Sequence, residues 1–326
     1  MPEPLRIAFL GCGFLTGVHS RNLRRLKGDI TCGYASRDAA RAEAFRQRHG
    51  GFASYGSYDA ALQDPRVEAV VIAVPPKFHL DLTLRALDAG KHVLVEKPAF
   101  LTMADYLTAR DARDAAGRVV IVGENDHYKP LARRLRQLVK ENVIGEMVFA
   151  HILTVANRPK KAGDWRNDET MAGGDAFFEE GIHWLHFAGS LGPKITAIQG
   201  FRPTLSRQSP DTRVKSLLVA FHYDNGAVGS LCYSREVPSL LRGFRISKLM
   251  GREGVITFES AGGGFIVVRG RGWPRLILPG YRALRDIRGY QAMYRDFIRA
   301  IRTGTQPEMS LERAIEDQRL MDQIYA

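Results

Sequence analysis

The stretch LRIAFLGCGFLTG, residues 5–17, decides the fold of this chain. Its first six residues form an apolar run typical of a buried strand, and Gly11 and Gly13 follow at once. Beyond them, apolar residues recur at helical spacing as far as Leu26. Strand, glycine turn and helix in this order form a dinucleotide fingerprint, in which a pyrophosphate lies on the helix N-terminus.

The glycine turn predicts cofactor contacts. We expect Gly11 to make the tight turn, and Gly13 to let the backbone approach a pyrophosphate beside Phe14 and Leu15. The third fingerprint position holds Thr16, a departure that leaves the residue small. The alternative is a glycine-rich turn that binds nothing.

The second apolar run, residues 30–35, ends at Ser36 and Arg37. Ser36 can hydrogen-bond a phosphate without repelling it, and Arg37 can pair with it through two hydrogen bonds. These residues therefore favour NADP over NAD as the cofactor. An alternative alignment makes Asp38 the ligand of the ribose hydroxyls, which would favour NAD.

Further apolar runs alternate with helical segments up to residue 122, a pattern that predicts a parallel, doubly wound sheet. A domain boundary is predicted near Asn125, which gives a nucleotide-binding domain over 1–125 and a second domain over 126–326. In the second domain, a helix is expected at 130–141, and alternating patterns predict strands at 147–156, 215–222, 227–234, 244–250 and 255–259.

The segment VLVEKP, residues 93–98, places Lys97 where a parallel strand ends. Ligands of open α/β sheets bind at the carboxyl ends of the strands. A lysine at this point can hydrogen-bond a reacting oxygen or share its proton. The plainer alternative is a solvated lysine in a strand-to-loop connection.

The chain resembles the glucose-fructose oxidoreductase and inositol dehydrogenase family, often called Gfo/Idh/MocA. The shared motifs are the glycine turn, Val74-Pro75-Pro76 with His79, Glu96-Lys97-Pro98, residues 123–127, Trp165-Arg166, Gly173-Gly174 and Gly181-Ile182-His183. The resemblance implies a Rossmann domain followed by an α/β domain with a large, mostly antiparallel sheet. It also implies a homodimer or homotetramer that oxidises or reduces a carbon of a sugar, a cyclitol or a related compound with NAD(P).

The resemblance also implies roles for individual residues. The catalytic set is Lys97, His183 and Glu179, with His183 in proton transfer and Lys97 at the reacting oxygen. Residues expected at the cofactor, besides those of the glycine turn and the second strand, are Pro75, His79, Glu96 and Lys97. Residues expected at the substrate are Trp165, Arg166 and His186. Asn125 and His127 follow the last strand of the first domain, so each could bind substrate or could close the domain hinge by hydrogen bonding.

His186 is where the chain leaves the family pattern, which has an aspartate at this position. We expect a protonated His186 to pair with Glu179, and we expect its replacement by aspartate to change substrate preference without affecting folding. Glu179, His183 and His186 share one face of a continuous helix, so a metal site is an alternative. A pocket without metal is the preferred interpretation.

Composition limits the remaining classes. The net charge of +12 invites a nucleic-acid partner, but no zinc-finger or helix-turn-helix spacing appears, so none is expected. The three cysteines lack metal-type spacing, and no long apolar span or leader is evident, so we expect a cytoplasmic protein without membrane contact. The basic run Arg158, Lys160, Lys161 and Arg166 could hold an acidic group of the substrate, or could be a solvated loop.

The sequence thus predicts an NAD(P)-dependent dehydrogenase or reductase that acts on CH–OH groups. Two other classes stay open at this point. One is a glycosidase or lyase that retains its cofactor and acts through transient oxidation of the substrate. The other is a non-catalytic NADP-binding protein, which the change at His186 suggests.

Overall fold

The computed structural model describes residues 3–160, 163–204, 215–238, 245–259, 265–270 and 272–326. The chain divides into two compact units, of which the first comprises Met1–Asn125 and Gly289–Glu316 and the second comprises Asp126–Arg288 and Asp317–Ala326. This division differs from the predicted uninterrupted second domain over 126–326, because residues 289–316 pack with the first unit.

A six-stranded parallel sheet forms the centre of the first unit, in the order β3-β2-β1-β4-β5-β6. The strands are β1 (Leu5–Leu10), β2 (Ile30–Ala35), β3 (Ala53–Tyr55), β4 (Ala69–Ile72), β5 (His92–Glu96) and β6 (Val120–Gly123). All four residues of β4 are buried, as expected for a parallel strand covered on both faces. The predicted doubly wound parallel sheet is confirmed.

Five helices alternate with these strands: α1 (Phe14–Leu23), α2 (Ala39–His49), α3 (Tyr58–Gln63), α4 (His79–Asp88) and α5 (Met103–Ala116). Local chemistry sets their ends. At the start of α5, Thr102 and Asp105 cap each other's backbone N–H, and Gly117 ends the helix in the left-handed region with φ 60°. Glycine adopts this left-handed conformation at little energetic cost because it has no Cβ.

The strand order reverses between β1 and β4, which are neighbours although β2 and β3 lie between them in sequence. In open α/β sheets, ligands bind at the carboxyl ends of the strands beside such a switch point. The residues that follow β1, β4 and β5 therefore lie along the edge where a cofactor is expected.

Residues 289–316 extend the first unit beyond β6. They contain α10 (Tyr290–Thr303) and the first part of α11 (Leu311–Tyr325). The N–H of Val122 donates to the carbonyl of Met309 at 3.0 Å, and Ser310 forms an isolated antiparallel bridge with Ile121. The buried side chains of α10, among them Phe297, pack in the same core.

An eight-stranded sheet dominates the second unit, in the order β14-β13-β12-β11-β7-β10-β9-β8. Its strands are β7 (Met147–Val155), β8 (Ile195–Phe201), β9 (Ser216–Tyr223), β10 (Val228–Ser234), β11 (Ile246–Gly251), β12 (Gly254–Glu259), β13 (Ile266–Arg269) and β14 (Arg275–Ile277). Among the strands that the structure describes here, β7 and β10 are the one parallel pair. The predicted large, mostly antiparallel sheet is confirmed.

The helices of the second unit include α6 (Pro130–Lys140), α7 (Glu169–Ala172), α8 (Ile182–Gly189) and α9 (Tyr281–Leu284), and a π-helical turn, Phe177–Gly181, leads into α8. The later part of α11 also belongs to this unit. In the part of the chain that the structure describes, no helix combines the length and the apolar character needed to cross a membrane.

Candidate active site

The glycine turn lies between β1 and α1. Gly11 has φ 107°, and a Cβ on it would meet the carbonyl oxygen of Ala73 at 2.7 Å. Glycine is required here, because the turn approaches the end of β4 closely. Gly13 precedes the first residue of α1 in extended conformation, and a Cβ added to it would meet nothing within 4 Å.

Thr16 explains how the fingerprint tolerates the loss of its third glycine. The side chain is buried, and its hydroxyl donates a hydrogen bond of 2.7 Å to the carbonyl of Gly11. This hydrogen bond thereby holds the glycine loop against the N-terminal end of α1. Phe14 is exposed beside it, and Leu15 is half-buried.

A serine and two arginines follow β2, in the loop after the strand and in the first turn of α2. Ser36 is buried, and its hydroxyl accepts a hydrogen bond from the N–H of Asp38. Arg37 is exposed, and so is Arg41 in the first turn of α2. Burial raises the pKa of the Cys12 thiol to about 11, and the nearby Arg41 opposes this rise.

Arg41 was missed by sequence reasoning, although its position four residues after Arg37 was a usable signal. Asp38 has a structural task here. Its carboxylate accepts the N–H of Arg41 and caps α2. The alternative of Asp38 as the ribose ligand thus competes with a local role that already uses this side chain.

His79 ties two loops of the first unit together. Its Nε2 lies 2.8 Å from the carbonyl oxygen of Val74, and its Nδ1 lies 3.1 Å and 3.0 Å from those of Pro98 and Ala99. Burial lowers the pKa of this imidazole. A side chain that is buried and aimed at the backbone does not match the predicted contact with a cofactor. We assign it instead to positioning the loops after β4 and β5.

Pro75 lies at the same loop and is half-buried. Its carbonyl accepts the N–H of Phe78 and so starts the short helical turn, Pro76–Phe78, that leads into α4. The structure places Pro75 at the carboxyl edge of the sheet, where the cofactor is expected.

Glu96 and Lys97 diverge at the end of β5. Glu96 is buried, and its Oε1 lies 2.8 Å from Nε2 of the buried His19 on α1, in a contact that is close but not aligned as a hydrogen bond. Nδ1 of His19 in turn forms a hydrogen bond of 2.7 Å with the hydroxyl of Tyr294. Glu96 therefore points into the core of the first unit, which corrects its predicted place among the cofactor contacts.

Lys97 is half-buried and follows directly at the carboxyl edge of the sheet, and the Lys97-Pro98 peptide bond is cis. The sequence did not reveal that His19 and Tyr294 support the glutamate beside it. They lie far from Glu96 along the chain, and their residue types are common in ordinary cores.

In the second unit, the π-helical turn positions Glu179. This carboxylate is buried, and its Oε1 lies 3.4 Å from Nε of Arg166. Arg166 also contacts Asp164 at 3.2 Å and stacks over the ring of Trp165 at 4.4 Å. The structure thus brings three predicted site residues, Trp165, Arg166 and Glu179, into one cluster.

A pocket opens in the second unit at the start of α8. Its polar wall contains His183, His127, His186, Asp126 and Lys129. His183 is half-buried, whereas His127 and His186 are buried. The structure therefore gathers the three predicted histidines around one cavity. Asn125 is half-buried at the end of the first unit, just after β6.

His186 has different partners from those expected. Its Nδ1 lies 2.7 Å from Oδ2 of Asp317, and its Nε2 lies 2.8 Å from Nδ1 of His127. The predicted pairing of His186 with Glu179 is wrong, since the π-helical turn changes the spacing on this face and Arg166 contacts the glutamate. Both ring nitrogens of His186 are engaged, which argues against a metal site shared by Glu179, His183 and His186.

This placement also changes the expectation for His186→Asp. The new carboxylate would be buried beside Asp317. Two buried carboxylates repel each other unless they share a proton. The substitution should therefore lower stability, in contrast to the earlier expectation of intact folding.

The basic run before this site is largely neutralised where the structure describes it. Arg158 pairs with Glu180, which also accepts a hydrogen bond of 3.0 Å from the hydroxyl of Tyr233. Arg166 pairs with carboxylates as described above. Lys161, the remaining predicted member beside the half-buried Lys160, lies outside the described residues.

Comparison with known proteins identifies both units. A family model for GFO/IDH/MocA oxidoreductases with an NAD-binding Rossmann fold matches residues 5–124, and the model of the GFO/IDH/MocA C-terminal domain matches residues 132–256. An uncharacterised oxidoreductase of Rhizobium meliloti, ORF334, is 37% identical over 150 residues, which is 46% of this chain and 44% of the relative. The match thus spans less than half of that relative.

A second relative matches over most of both chains. D-xylose 1-dehydrogenase (NADP(+)) 2 of Haloferax volcanii is 28% identical over 296 residues, which is 89% of this chain and 87% of the relative. Among solved structures, a levoglucosan dehydrogenase in complex with NADH and levoglucosan superimposes with a TM-score of 0.88 at 21% identity, over 99% of this chain and 96% of the other. That likeness supports the fold. The chain belongs to the GFO/IDH/MocA oxidoreductase family and carries the family's NAD-binding Rossmann domain.

Proposed function

We propose that this protein is an NAD(P)-dependent oxidoreductase that moves a hydride to or from a carbinol or carbonyl carbon of a sugar, a cyclitol or a related compound. The observation that carries the proposal is Lys97, which directly follows β5 at the carboxyl edge of the sheet in an NAD-binding Rossmann domain. The Haloferax volcanii relative, named as a D-xylose 1-dehydrogenase, supports a carbohydrate substrate.

The residues around the glycine turn fit a dinucleotide. The space beside Gly13 is open, and the first turn of α1 contains no acidic side chain that would repel a pyrophosphate. The positive end of the helix dipole and its first backbone N–H groups favour an anion at this point. When bound, the nicotinamide would supply the hydride acceptor or donor at its C4.

We favour NADP over NAD. Arg37 and Arg41 are both exposed near the end of β2. Burial raises the pKa of the nearby Tyr58, and the positive charges of both arginines lower it, which indicates that the two guanidinium groups lie on the same side of the turn as this tyrosine. Two guanidinium groups at this point suit a 2′-phosphate, with the Ser36 hydroxyl beside them. The name of the Haloferax volcanii relative, which specifies NADP(+), agrees with this preference.

The chemistry assigned to the side chains follows from the charges that change during the reaction. Oxidation of an alcohol leaves a proton to be removed from its oxygen, and His183 is the proposed acid or base. Lys97 would donate a hydrogen bond to the same oxygen and stabilise its developing charge. We assign a supporting role to the Glu179 carboxylate, whose Oε1 lies 3.4 Å from Nε of Arg166.

We favour a neutral polyol over an acidic compound as the substrate. Lys129, on its wall, pairs with Asp126 at 2.6 Å, and Arg158 and Arg166 pair with carboxylates of their own. An acidic substrate group would have to displace one of these partners. We also propose that Asn125, His127, Trp165 and Arg166 bind hydroxyl groups of the substrate.

A homodimer or homotetramer is proposed from the eight-stranded sheet. On β7, Ala150 and Ile152 are buried, and the alternate residue Phe149 is 49% exposed. Leu218 of β9 is 44% exposed. A sheet face with apolar side chains at this exposure is typical of an interface between subunits. Light scattering coupled to gel filtration tests it, and a monomeric mass would contradict it.

The experiment for the proposed function is an absorbance screen for nicotinamide reduction with NADP⁺ and NAD⁺ against aldoses, anhydrosugars, cyclitols and uronic acids. Turnover with at least one neutral polyol, faster with NADP⁺, is expected. Turnover of a glycoside without added cofactor would instead favour the cofactor-retaining class. Nucleotide binding without turnover of any compound in the panel would favour a non-catalytic protein.

A further inference from the structure

Three arginines of the second unit lie at one end of the eight-stranded sheet. Arg158 comes after β7, Arg235 directly follows β10, and Arg245 directly precedes β11. These strand ends are neighbours, because the sheet has the order β11-β7-β10, β7 and β10 run parallel, and β11 runs antiparallel to β7. The backbone N–H of Arg158 donates a hydrogen bond of 2.8 Å to the carbonyl of Arg235, which joins the first two arginines directly.

The guanidinium group of Arg235 is buried without a counter-charge. The residue is 8% exposed, and its Nη1 is buried and makes no hydrogen bond. Among the residues that the structure describes, none forms an ion pair with Arg235. Glu236, which follows it, is exposed and accepts a hydrogen bond of 2.6 Å from the hydroxyl of Ser216. A buried cation without a partner is costly, so its retention calls for an explanation.

The other two arginines have partners but leave an excess of positive charge. Arg158 pairs with Glu180 through Nη1, whereas its Nε and Nη2 are buried and make no hydrogen bond. The backbone N–H of Arg245 lies 3.4 Å from Oε1 of Glu259, and the guanidinium of Arg245 lies over the ring of Trp184 at 5.6 Å. Three arginines thus share two carboxylates, which leaves a formal charge of about +1 at this end of the sheet.

Tyr233 shows that two of these guanidinium groups lie near one point. Burial and the Glu180 carboxylate raise the pKa of its hydroxyl, and the positive charges of Arg235 and Arg158 oppose this rise. Thr154 lies beside Tyr233 in the pairing of β7 with β10, and its hydroxyl is buried and makes no hydrogen bond. Unused N–H and O–H donors therefore outnumber acceptors at this end of the sheet.

We propose that this end of the sheet binds a compact oxyanion, with Arg235 and Arg158 as its hydrogen-bond donors. A phosphate, sulfate or carboxylate group has several acceptor oxygens, and a planar guanidinium group can bind two of them at once. Such an anion would also balance the excess charge without displacing Glu180, because Arg158 uses only Nη1 for that pair. The side chain of Arg158 is 34% exposed, so an anion can reach it from solvent.

Two sources could supply this chemistry. One is a free anion such as phosphate, which would stabilise the folded second unit. The other is an acidic group carried by a substrate, and this source alone rests on the proposed function. The site itself is testable without turnover, so failure of the proposed function and failure of this inference are distinguishable.

The first test is thermal unfolding of the full chain with inorganic phosphate, with chloride used to keep the ionic strength constant. Phosphate at about ten times its Kd should raise the unfolding midpoint of the wild-type protein by roughly 2–5 °C. In Arg235→Met, at least about half of this shift should be lost, because a charge-assisted donor is removed. Phosphate that binds at the glycine turn contributes equally to both proteins, so the difference between them reports this site.

The same variant separates a ligand-binding arginine from a structural one. In phosphate-free buffer, Arg235→Met should unfold at the same temperature as the wild type or higher, since it removes an unpaired buried charge. Arg275→Met, an exposed change on β14 of the same sheet, should keep the full response to phosphate. Equal phosphate shifts in wild type and Arg235→Met would overturn the inference. A lower midpoint of Arg235→Met without phosphate would also overturn it, because the arginine would then serve the fold.

A second variant tests the site through the other donor. Arg158→Lys keeps a positive charge for Glu180 but loses the planar set of N–H groups. Titration calorimetry with phosphate should therefore show a Kd that is weaker by about tenfold or more. A Kd equal to that of the wild type would contradict the assignment of Arg158.

The source of the anion is tested with a uronic acid and its parent aldose from the screen. If the substrate carries the anion, Arg235→Met should lower kcat/KM for the uronic acid by about tenfold or more relative to the aldose. If the ratio of the two stays the same while the phosphate response is lost, the site takes a free anion. Both results support the site, whereas an intact phosphate response together with an unaltered ratio would overturn it.

Discussion

Thr16 occupies the position of the third fingerprint glycine and donates its hydroxyl to the Gly11 carbonyl. Thr16→Val keeps the shape but leaves a buried carbonyl unpaired, so we expect the free energy of unfolding to fall by about 1–3 kcal/mol. Urea denaturation measures it. Thr108 makes the same kind of bond on an exposed helix face, and Thr108→Val should change the free energy of unfolding by less than about 0.5 kcal/mol. Equal losses in the two variants would contradict the account of Thr16.

Arg37→Ala tests the cofactor preference at the end of β2. Loss of a charge-assisted hydrogen bond to a 2′-phosphate should weaken NADP binding by roughly 1.5–3 kcal/mol and leave NAD binding nearly unchanged. Titration calorimetry with both nucleotides is the measurement. Arg48→Ala, at the far end of α2, is the matched control and should affect neither. If NAD and NADP lose affinity equally, Arg37 does not recognise the phosphate.

The sequence was informative at the residues that local motifs identify. Lys97 could be placed at a strand end, because an apolar run and a proline surround it. The partners of His186 could not be found, since His127 and Asp317 are 59 and 131 residues away in sequence. The burial of Glu96 could not be predicted either. A carboxylate beside a strand-end lysine could be exposed or buried, and only its contact with His19 in the structure decides between the two.

At the scale of elements, the π-helical turn before α8 depends on Gly181. A Cβ there would clash with the ring of Phe177, so Gly181→Ala should force the turn to repack and cost about 1–3 kcal/mol of stability. On the same helix, an added Cβ at Gly189 would meet its nearest neighbour at 3.7 Å, so Gly189→Ala should be neutral or stabilising. Thermal unfolding compares them, and a tolerated Gly181→Ala would contradict the packing argument.

The regular elements were predictable where hydrophobic periodicity is strong. The helix expected at 130–141 is α6, Pro130–Lys140, and the strand expected at 147–156 is β7, Met147–Val155. A π-helical turn has no such signature, because its wider hydrogen-bonding pattern breaks the 3.6-residue repeat locally. β8 was missed for another reason, since its residues are largely half-buried or exposed and give no clear alternation.

For the whole molecule, histidines whose pKa burial lowers, in part or in full, predict acid sensitivity. Burial lowers the pKa of His92 to about 4, from 6.5, and it also lowers the pKa of His79. As the pH falls below 6.5, His92 binds a proton in the unfolded chain, but in the folded chain it binds one only near pH 4. The free energy of unfolding therefore decreases as the pH falls through this range. His92→Asn should flatten the loss between neutral pH and about pH 5 in urea denaturation. An unchanged slope would contradict this origin.

The division of the chain into units was only partly accessible from sequence. A boundary at Asn125 follows from the end of the Rossmann pattern, and the structure also divides the chain there. Two closing helices near residues 290–302 and 311–325 could be predicted, packed on the sheet or on the first domain, but the sequence did not decide between these two, because backbone pairing such as that of Val122 with Met309 joins segments with no shared pattern. Helix α10 alone reads as an ordinary amphipathic helix that could cover either unit.

Lys97, at the end of a parallel strand, is expected to serve hydride transfer in this NAD(P)-binding protein. Lys97→Ala should lower kcat by about 10²-fold or more on the best substrate of the screen, because it removes a charge-stabilising hydrogen bond at the reacting oxygen. Affinity for NADP should stay within a few-fold of wild type. Lys27→Ala, an exposed change before β2, controls for loss of a lysine. A kcat reduced in Lys97→Ala alone supports the account, and near-normal turnover of that variant would contradict it.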